Sequence, residues 1–193
     1  MDKRIIIYGS KDFASTIKYL VKDCGYETVG MIDDFRTGTG ILGTFEEISK
    51  NYSPKDYSIV IAIGYSNLAK RWEIYQKVKK KGYEIVTLIH PKAYVSSNAI
   101  IEQGAMVMAG AIVDVNAIVS ELAVLWPGVV LNHDSIVGKN TFVSPNATIC
   151  GFSKIGSNSF IGAGSVVIEH QHVPDNTFVK ANHLYFTNNT NSQ

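Results

Sequence analysis

From Ala93 onward the chain divides into consecutive blocks of six residues without a slip: AYVSSN, AIIEQG, AMVMAG, AIVDVN and so on to TFVKAN, 15 blocks in all. The third residue of every block is Val, Ile or Leu. The first is Ala, Ser or Thr, with Val129 and Gln171 as exceptions. The sixth is often Asn or Gly, residues that tolerate φ > 0 at a corner. This pattern leaves few folds open. A short strand carries the aliphatic residue inward, a corner turns the chain, and three such faces close a triangular coil of 18 residues. The small first residue fits where two faces meet. Coils then stack about 4.8 Å apart with parallel pairing, and 15 blocks give five coils of a parallel β-helix.

Residues 1–90 follow another rule. Arg4–Tyr8 is a β-rich run ending at Gly9, and 13–23 has helical spacing at Phe13, Ile17, Leu20 and Val21, closed by Gly25. Thr28–Ile32 reads as a second strand followed by Asp33 and Asp34, 58–63 as a third ending at Gly64, 67–81 as a helix closed by Gly82, and 84–88 as a fourth strand. Strands alternating with helices imply an α/β parallel sheet of the Rossmann-like, nucleotide-binding type. The junction falls near Pro91. The expected division is therefore 1–90, 91–182 and a tail, 183–193.

Composition narrows the function classes. A formal charge of +1 over 193 residues gives no electrostatic footprint for nucleic acid or an anionic membrane. The run Lys79, Lys80, Lys81 reads as a solvated helix end. No stretch has the length of a membrane span, and the apolar run after MDKR is too short for a signal peptide. Cys24 and Cys150 are far apart and in no metal-binding spacing, which fits free thiols in a reducing cytoplasm. His170 and His172 stand two apart, but no third ligand accompanies them, so no metal is expected.

Several residues can carry chemistry. After the first strand, Gly9 and Ser10 open a strand-to-helix turn that can offer backbone N–H groups to a phosphate. Lys11, Asp12 and Phe13 replace the further glycines of a dinucleotide fingerprint, and an ordinary tight turn is the competing reading. Asp33 and Asp34 can accept from a ribose hydroxyl or a base N–H, or serve as a solvated turn or helix cap. Gly64 lies on the same sheet edge. In the β-helix, His133 occupies the fifth position of its block, two residues after the inward Leu131, and so lies on a corner. Asp134 can fix its tautomer and raise its basicity; the competing reading is a solvated turn.

The order strand–GS turn, IDD, IAIG, LIHP, then hexapeptide blocks with NHDSIVG and ICG one coil later resembles a known family. It is similar to the bacterial hexapeptide-repeat acetyltransferases that act on nucleotide-linked 4-amino-4,6-dideoxy sugars; sialic acid O-acetyltransferases share the architecture. The resemblance covers about residues 4–180. It implies a left-handed β-helix, acetyl-CoA as acyl donor, a nucleotide-linked amino sugar as acceptor, a cytoplasmic enzyme and a homotrimer with the pantetheine arm in the groove between β-helices. It implies His133 as general base, oriented by Asp134. Gly151, 18 residues on, would donate its N–H to the thioester carbonyl. Gly9, Ser10, Asp33, Asp34 and Gly64 would hold the nucleotide.

The sequence also departs from that family. Phe142, counted with Gly151 among the coenzyme-site residues, stands where close relatives often carry a second histidine. Trp126 stands where they often carry Asn, and both point to a reshaped acceptor pocket. The tail lacks the usual Gly-x-Pro-Ala-Lys ending. Three functions follow in order: N-acetylation of a nucleotide-activated amino sugar, O-acetylation of a sugar or sialic acid, and a non-catalytic sugar-nucleotide-binding module. An intact His133 and Gly151 in register argue against the last.

Overall fold

The structure, a computed structural model, describes residues 4–187 and consists of two compact units, Met1–Pro91 and Lys92–Gln193. In the first, β1 (Arg4–Tyr8), α1 (Asp12–Asp23), β2 (Thr28–Ile32), β3 (Ile41–Gly43), α2 (Phe45–Asn51), β4 (Tyr57–Ile61), α3 (Leu68–Lys80) and β5 (Glu84–Ile85) follow one another. The sheet order is β3-β2-β1-β4-β5 and every pairing is parallel. Helix α1 buries Ala14, Ile17, Leu20 and Val21, the three- and four-residue spacing that puts one helical face on a sheet. Residues 5–8 of β1 are buried, as a strand covered on both sides must be. Helix α3 starts where the Asn67 side chain accepts from the Lys70 N–H, a cap that satisfies one of the open amides of a helix start.

The chain runs outward from β1 to β3 on one side and then restarts on the other with β4. The C-terminal ends of β1 and β4 therefore flank the point where the order reverses, the place where open α/β sheets leave a crevice. The strand expected at 58–63 is β4 and ends at Ile61: the Ala62 N–H closes on the Tyr8 carbonyl at 2.8 Å, after which the backbone turns into that crevice. The fourth predicted strand divides into Glu84–Ile85 and Leu88–Ile89. Strand β3 and helix α2 have no counterpart in the hydrophobic pattern. A capping box sets α2, with the Thr44 hydroxyl accepting from the Glu47 N–H and Glu47 accepting from the Thr44 N–H.

The second unit is a left-handed parallel β-helix. Each six-residue block carries a two-residue strand, and each strand pairs with those 18 residues before and after it, as in Ile112–Val130–Thr148. The third-position residues from Val107 to Val179 form one continuous buried column, each worth about 1.5–3 kcal/mol on burial. The first position divides along the axis. Ala105, Ala111, Ala117, Ala123 and Ala147 simply fit. From Thr141 on, buried hydroxyls interspersed with Ala147 bind the next coil: Thr141 Oγ1 donates to the Gly156 carbonyl at 2.8 Å, Ser153 Oγ to Ile168 at 2.7 Å and Ser165 Oγ to Lys180 at 2.9 Å.

Both exceptions to the small first residue have reasons. Val129 is fully buried. Gln171 accepts from both the N–H and the hydroxyl of Thr187 and so anchors the chain beyond the last full coil. Leu184–Tyr185 pairs with Val166–Val167, so the helical stacking continues past residue 182; residues 188–193 of the tail lie outside the described residues, as do 1–3.

Candidate active site

The corner that carries His133 is built from the end of one two-residue strand, Val130–Leu131, and the start of the next, Ile136–Val137. Between them Asp134 takes the left-handed backbone conformation, φ 55. The turn is closed by Ser135 Oγ donating to the Asn132 carbonyl and by the Asn132 amide donating to Ile149 O at 3.0 Å. His133 Nδ1 lies 3.0 Å from Asp134 Oδ2. A carboxylate only accepts, so Nδ1 carries the proton, and in the neutral ring Nε2 presents a lone pair. Asp134 is steadied in turn by Asn116 one coil earlier, whose amide donates to Oδ1 at 3.1 Å. The His133 bond first and the Asn116 bond second hold the Asp134 carboxyl below the usual carboxylate range. The two side chains remain 46% and 37% exposed, so the pair is open to a substrate.

Gly151 sits directly against this imidazole. Strand register pairs Leu131 with Ile149, and the Phe152 N–H bonds the His133 carbonyl at 3.2 Å, so the two corners are stacked one coil apart. A Cβ built on Gly151 would lie 2.7 Å from His133 Cε1 and 2.9 Å from Nε2. Only glycine leaves room for the ring there. Three other fifth-position amides are occupied by carboxylates: Val115 N–H by Asp114, Glu121 N–H by Glu102 and Ser157 N–H by Asp175. Among the described residues no group accepts from the Gly151 N–H. A lone pair and a free N–H thus address one region.

The first unit holds a cleft of about 360 Å³ at the switch point of its sheet. Gly9, Ser10, Asp33, Asp34 and Gly64 all line it, together with Lys11, Phe35, Arg36 and Lys70. Gly9 has φ 127, and a Cβ there would lie 2.4 Å from the Ala62 carbonyl oxygen, so neither conformation nor space admits another residue. Lys11 stands at the N-cap of α1 and its side chain makes no bond to the helix start.

The two aspartates differ. Asp33 accepts from the Ser10 hydroxyl and from the Phe35 and Arg36 N–H groups at 2.9 and 3.1 Å. Burial pushes its pKa up, but these bonds outweigh burial and hold it below the ordinary value. Asp34 also has both oxygens engaged, but by more distant elements: Oδ2 by the Tyr8 hydroxyl of β1 at 2.5 Å and Oδ1 by the Phe45 N–H at the start of α2 at 2.8 Å. Burial, then the bond to Asp34, pushes the Tyr8 phenol well above its ordinary range. Asp34 lines the cleft as a helix anchor.

Phe142 requires a correction. It lies at the second position of its block, on a strand and not on the His133 corner, and its side chain has no exposed surface. This burial leaves the Phe142 side chain no surface to offer a coenzyme in this structure. Counting by coils reaches His133 and Gly151, and the same count backward from Asp134 reaches Asn116. Two further residues of the corner, Phe152 and His170, follow from the next coils. His170 stacks on Phe152 while His172 lies on the neighbouring strand. Among the described residues no group of three His, Cys, Asp or Glu side chains could hold a metal ion.

The hexapeptide repeat and the His133 corner facing the Gly151 amide give this chain the architecture of hexapeptide acyltransferases. Residues 4–78 match the PglD N-terminal domain, and residues 134–169 match the bacterial transferase hexapeptide (six repeats). The acetyltransferase domain of PglB from Neisseria gonorrhoeae FA1090, solved in complex with acetyl coenzyme A, is 26% identical with a TM-score of 0.89, covering 96% of this chain and 92% of that one. PerB from Caulobacter crescentus, solved in complex with CoA and GDP-perosamine, shares the fold at 23% identity and a TM-score of 0.77, covering 93% of this chain and 95% of that one. WeeI from Acinetobacter baumannii AYE has the same fold at 16% identity and a TM-score of 0.53, covering 94% and 98%. The resemblance to hexapeptide-repeat sugar acetyltransferases therefore extends over both units.

Proposed function

We propose that this protein transfers the acetyl group of acetyl-CoA to the amino nitrogen of a nucleotide-linked amino-deoxy sugar, with His133 as general base. The observation that carries the reading is the His133 Nε2 lone pair, held by Asp134 and laid against a glycine with a free N–H. Nε2 takes a proton from the acceptor amine as its nitrogen bonds the acyl carbon. The Gly151 N–H donates to the carbonyl oxygen as negative charge gathers there. The imidazolium, stabilised by Asp134, returns the proton to the departing thiolate. The products are an amide and a free thiol, and the sum is balanced without a metal.

The cleft in the first unit supports a nucleotide-linked acceptor. Gly9 lets the chain pass close, and the uncapped start of α1 with Lys11 suits a diphosphate. Asp33 keeps its charge for a ribose or base donor. Ser10 and Gly64 complete the wall, with Asp34 behind them. The test is a panel of thymidine-, uridine- and guanosine-linked amino sugars with acetyl-CoA, followed by free thiol release. Release that requires the amino group supports the reading. Release only with hydroxyl acceptors would mean O-acetylation, and none with any acceptor would mean a binding module.

A homotrimer belongs to this reading. Tyr94, Ile112 and Leu184 are exposed apolar side chains aligned on one face of the β-helix, a pattern that marks an association surface. Sedimentation should give three chains, and full activity at a one-chain mass would refute it. No helix among the described residues is long and apolar enough to cross a membrane; we place the enzyme in the cytoplasm, where acetyl-CoA and sugar nucleotides meet.

A further inference from the structure

The sixth position of each block adopts the left-handed conformation from Gly104 to Asn182. Asn and Gly tolerate it, and they fill most of those positions. Four residues do not conform: Leu122, Asp134, Phe152 and His170, with φ between 55 and 61. Leu122 is fully buried, so packing accounts for it. Asp134 holds His133. Phe152 and His170 gain little from burial, since Phe152 is 48% exposed and His170 is exposed too. Both lie in the column of Asp134, on the corner of His133; His is among the residues found in this conformation, but for the bulky Phe152 it is an outlier of the kind expected to serve function.

The Phe152 ring stands T-shaped to His133, with centroids 5.1 Å apart and planes at 83°. His170 stacks flat on Phe152 at 4.9 Å and 2°. We infer that Phe152 is a positioning residue for His133, with His170 holding its ring in plane. The inference rests on His133 being the base. Asp134 binds the imidazole at one atom, which leaves the ring free to rock about that bond. Phe152 blocks that motion through an aromatic contact, so Nε2 keeps its aim over Gly151. His170 then has its own reason to replace Asn: it is the second leaf of the same stack.

The test uses the full chain with Phe152→Asn, Phe152→Tyr and, in parallel, His133→Ala. Asn suits this backbone, as Asn146 and Asn182 show at φ 57 and 53, so Phe152→Asn should melt at or above the wild-type temperature. Its kcat should nevertheless fall about tenfold, the scale of a modest misplacement of a catalytic group, with KM for both substrates unchanged. Phe152→Tyr keeps the ring and should restore kcat. An unchanged kcat in Phe152→Asn beside an inactive His133→Ala would overturn the positioning role alone. So would an equal loss in Phe152→Tyr, or a loss that tracks subunit dissociation and reverses at high protein concentration. An active His133→Ala would overturn the base and this inference together.

Discussion

Gly151→Ala isolates the geometry of the site from its chemistry. The substitution keeps the backbone N–H that the proposed reaction aims at the thioester and adds one methyl group. Its backbone lies outside the left-handed region, so alanine meets no conformational strain. The new Cβ would stand 2.7 Å from His133 Cε1, 2.9 Å from Nε2 and 3.3 Å from Nδ1. Restoring an ordinary carbon contact of about 3.5 Å requires the ring to retreat by roughly 0.8 Å. That movement turns Nε2 away from the Gly151 N–H while Nδ1 stays tethered to Asp134. A misplacement near 1 Å costs up to about 10²-fold, so we predict a 10- to 100-fold fall in kcat, about 1.4–2.7 kcal/mol of barrier. The KM for acetyl-CoA should hold.

Gly138→Ala is the contrasting control. Its Cβ would meet Gly156 C, Ile155 O and Ser157 N, all at 2.7 Å. Those are backbone atoms of the next coil and cannot swing aside, so this variant should lose stability by about 1–3 kcal/mol. Steady-state thiol release and thermal melts of the two variants separate the effects. Turnover of Gly151→Ala within twofold of wild type, or a melting loss equal to that of Gly138→Ala, would refute the argument.

The other predictions share the same assays. His133→Ala should lower turnover by about 10²- to 10⁴-fold, and Asp134→Ala by less; near-normal turnover in His133→Ala would remove it as base. Asp33→Ala should raise KM for the sugar nucleotide alone, while Asp34→Ala should cost about 2–3 kcal/mol in urea unfolding, because the Tyr8 hydroxyl and Phe45 N–H both lose their acceptor; the reverse pattern would exchange their roles. Asp134 has its folded-state pKa depressed by His133 and then Asn116. Its contribution to stability is therefore present above its unfolded pKa of about 3.9 and lost as pH falls through the folded value. The stability difference between wild type and Asp134→Asn should shrink below about pH 4, and a difference constant with pH would contradict the linkage.

The β-helix is legible because its period checks itself. Each aliphatic third residue predicts the next, and a count of 18 carries His133 to Gly151 and Asp134 back to Asn116 without reference to any side chain. What the count leaves open is anything set by rotamers or by the cover over a face. Phe142 stands at an outward position of its block yet has no exposed surface, a property of the packed face and not of the repeat. The contact between Phe152 and His133 likewise depends on where two rings turn.

In the first unit the two failures of the pattern have one cause. Strand β3 has three half-buried residues and α2 only seven in all, too few for any period to register. The start of α2 was nevertheless written in the sequence as Thr44 followed three residues later by Glu47, the capping-box signature. Reading it would have put a helix start within reach of the second strand's end. The open choice for Asp34, ligand or helix cap, then has a helix to cap, and its Oδ1 accepts from the Phe45 N–H. Asp33 instead takes its partners from its own turn and the first loop, where the bonds to Ser10, Phe35 and Arg36 hold it charged at the cleft.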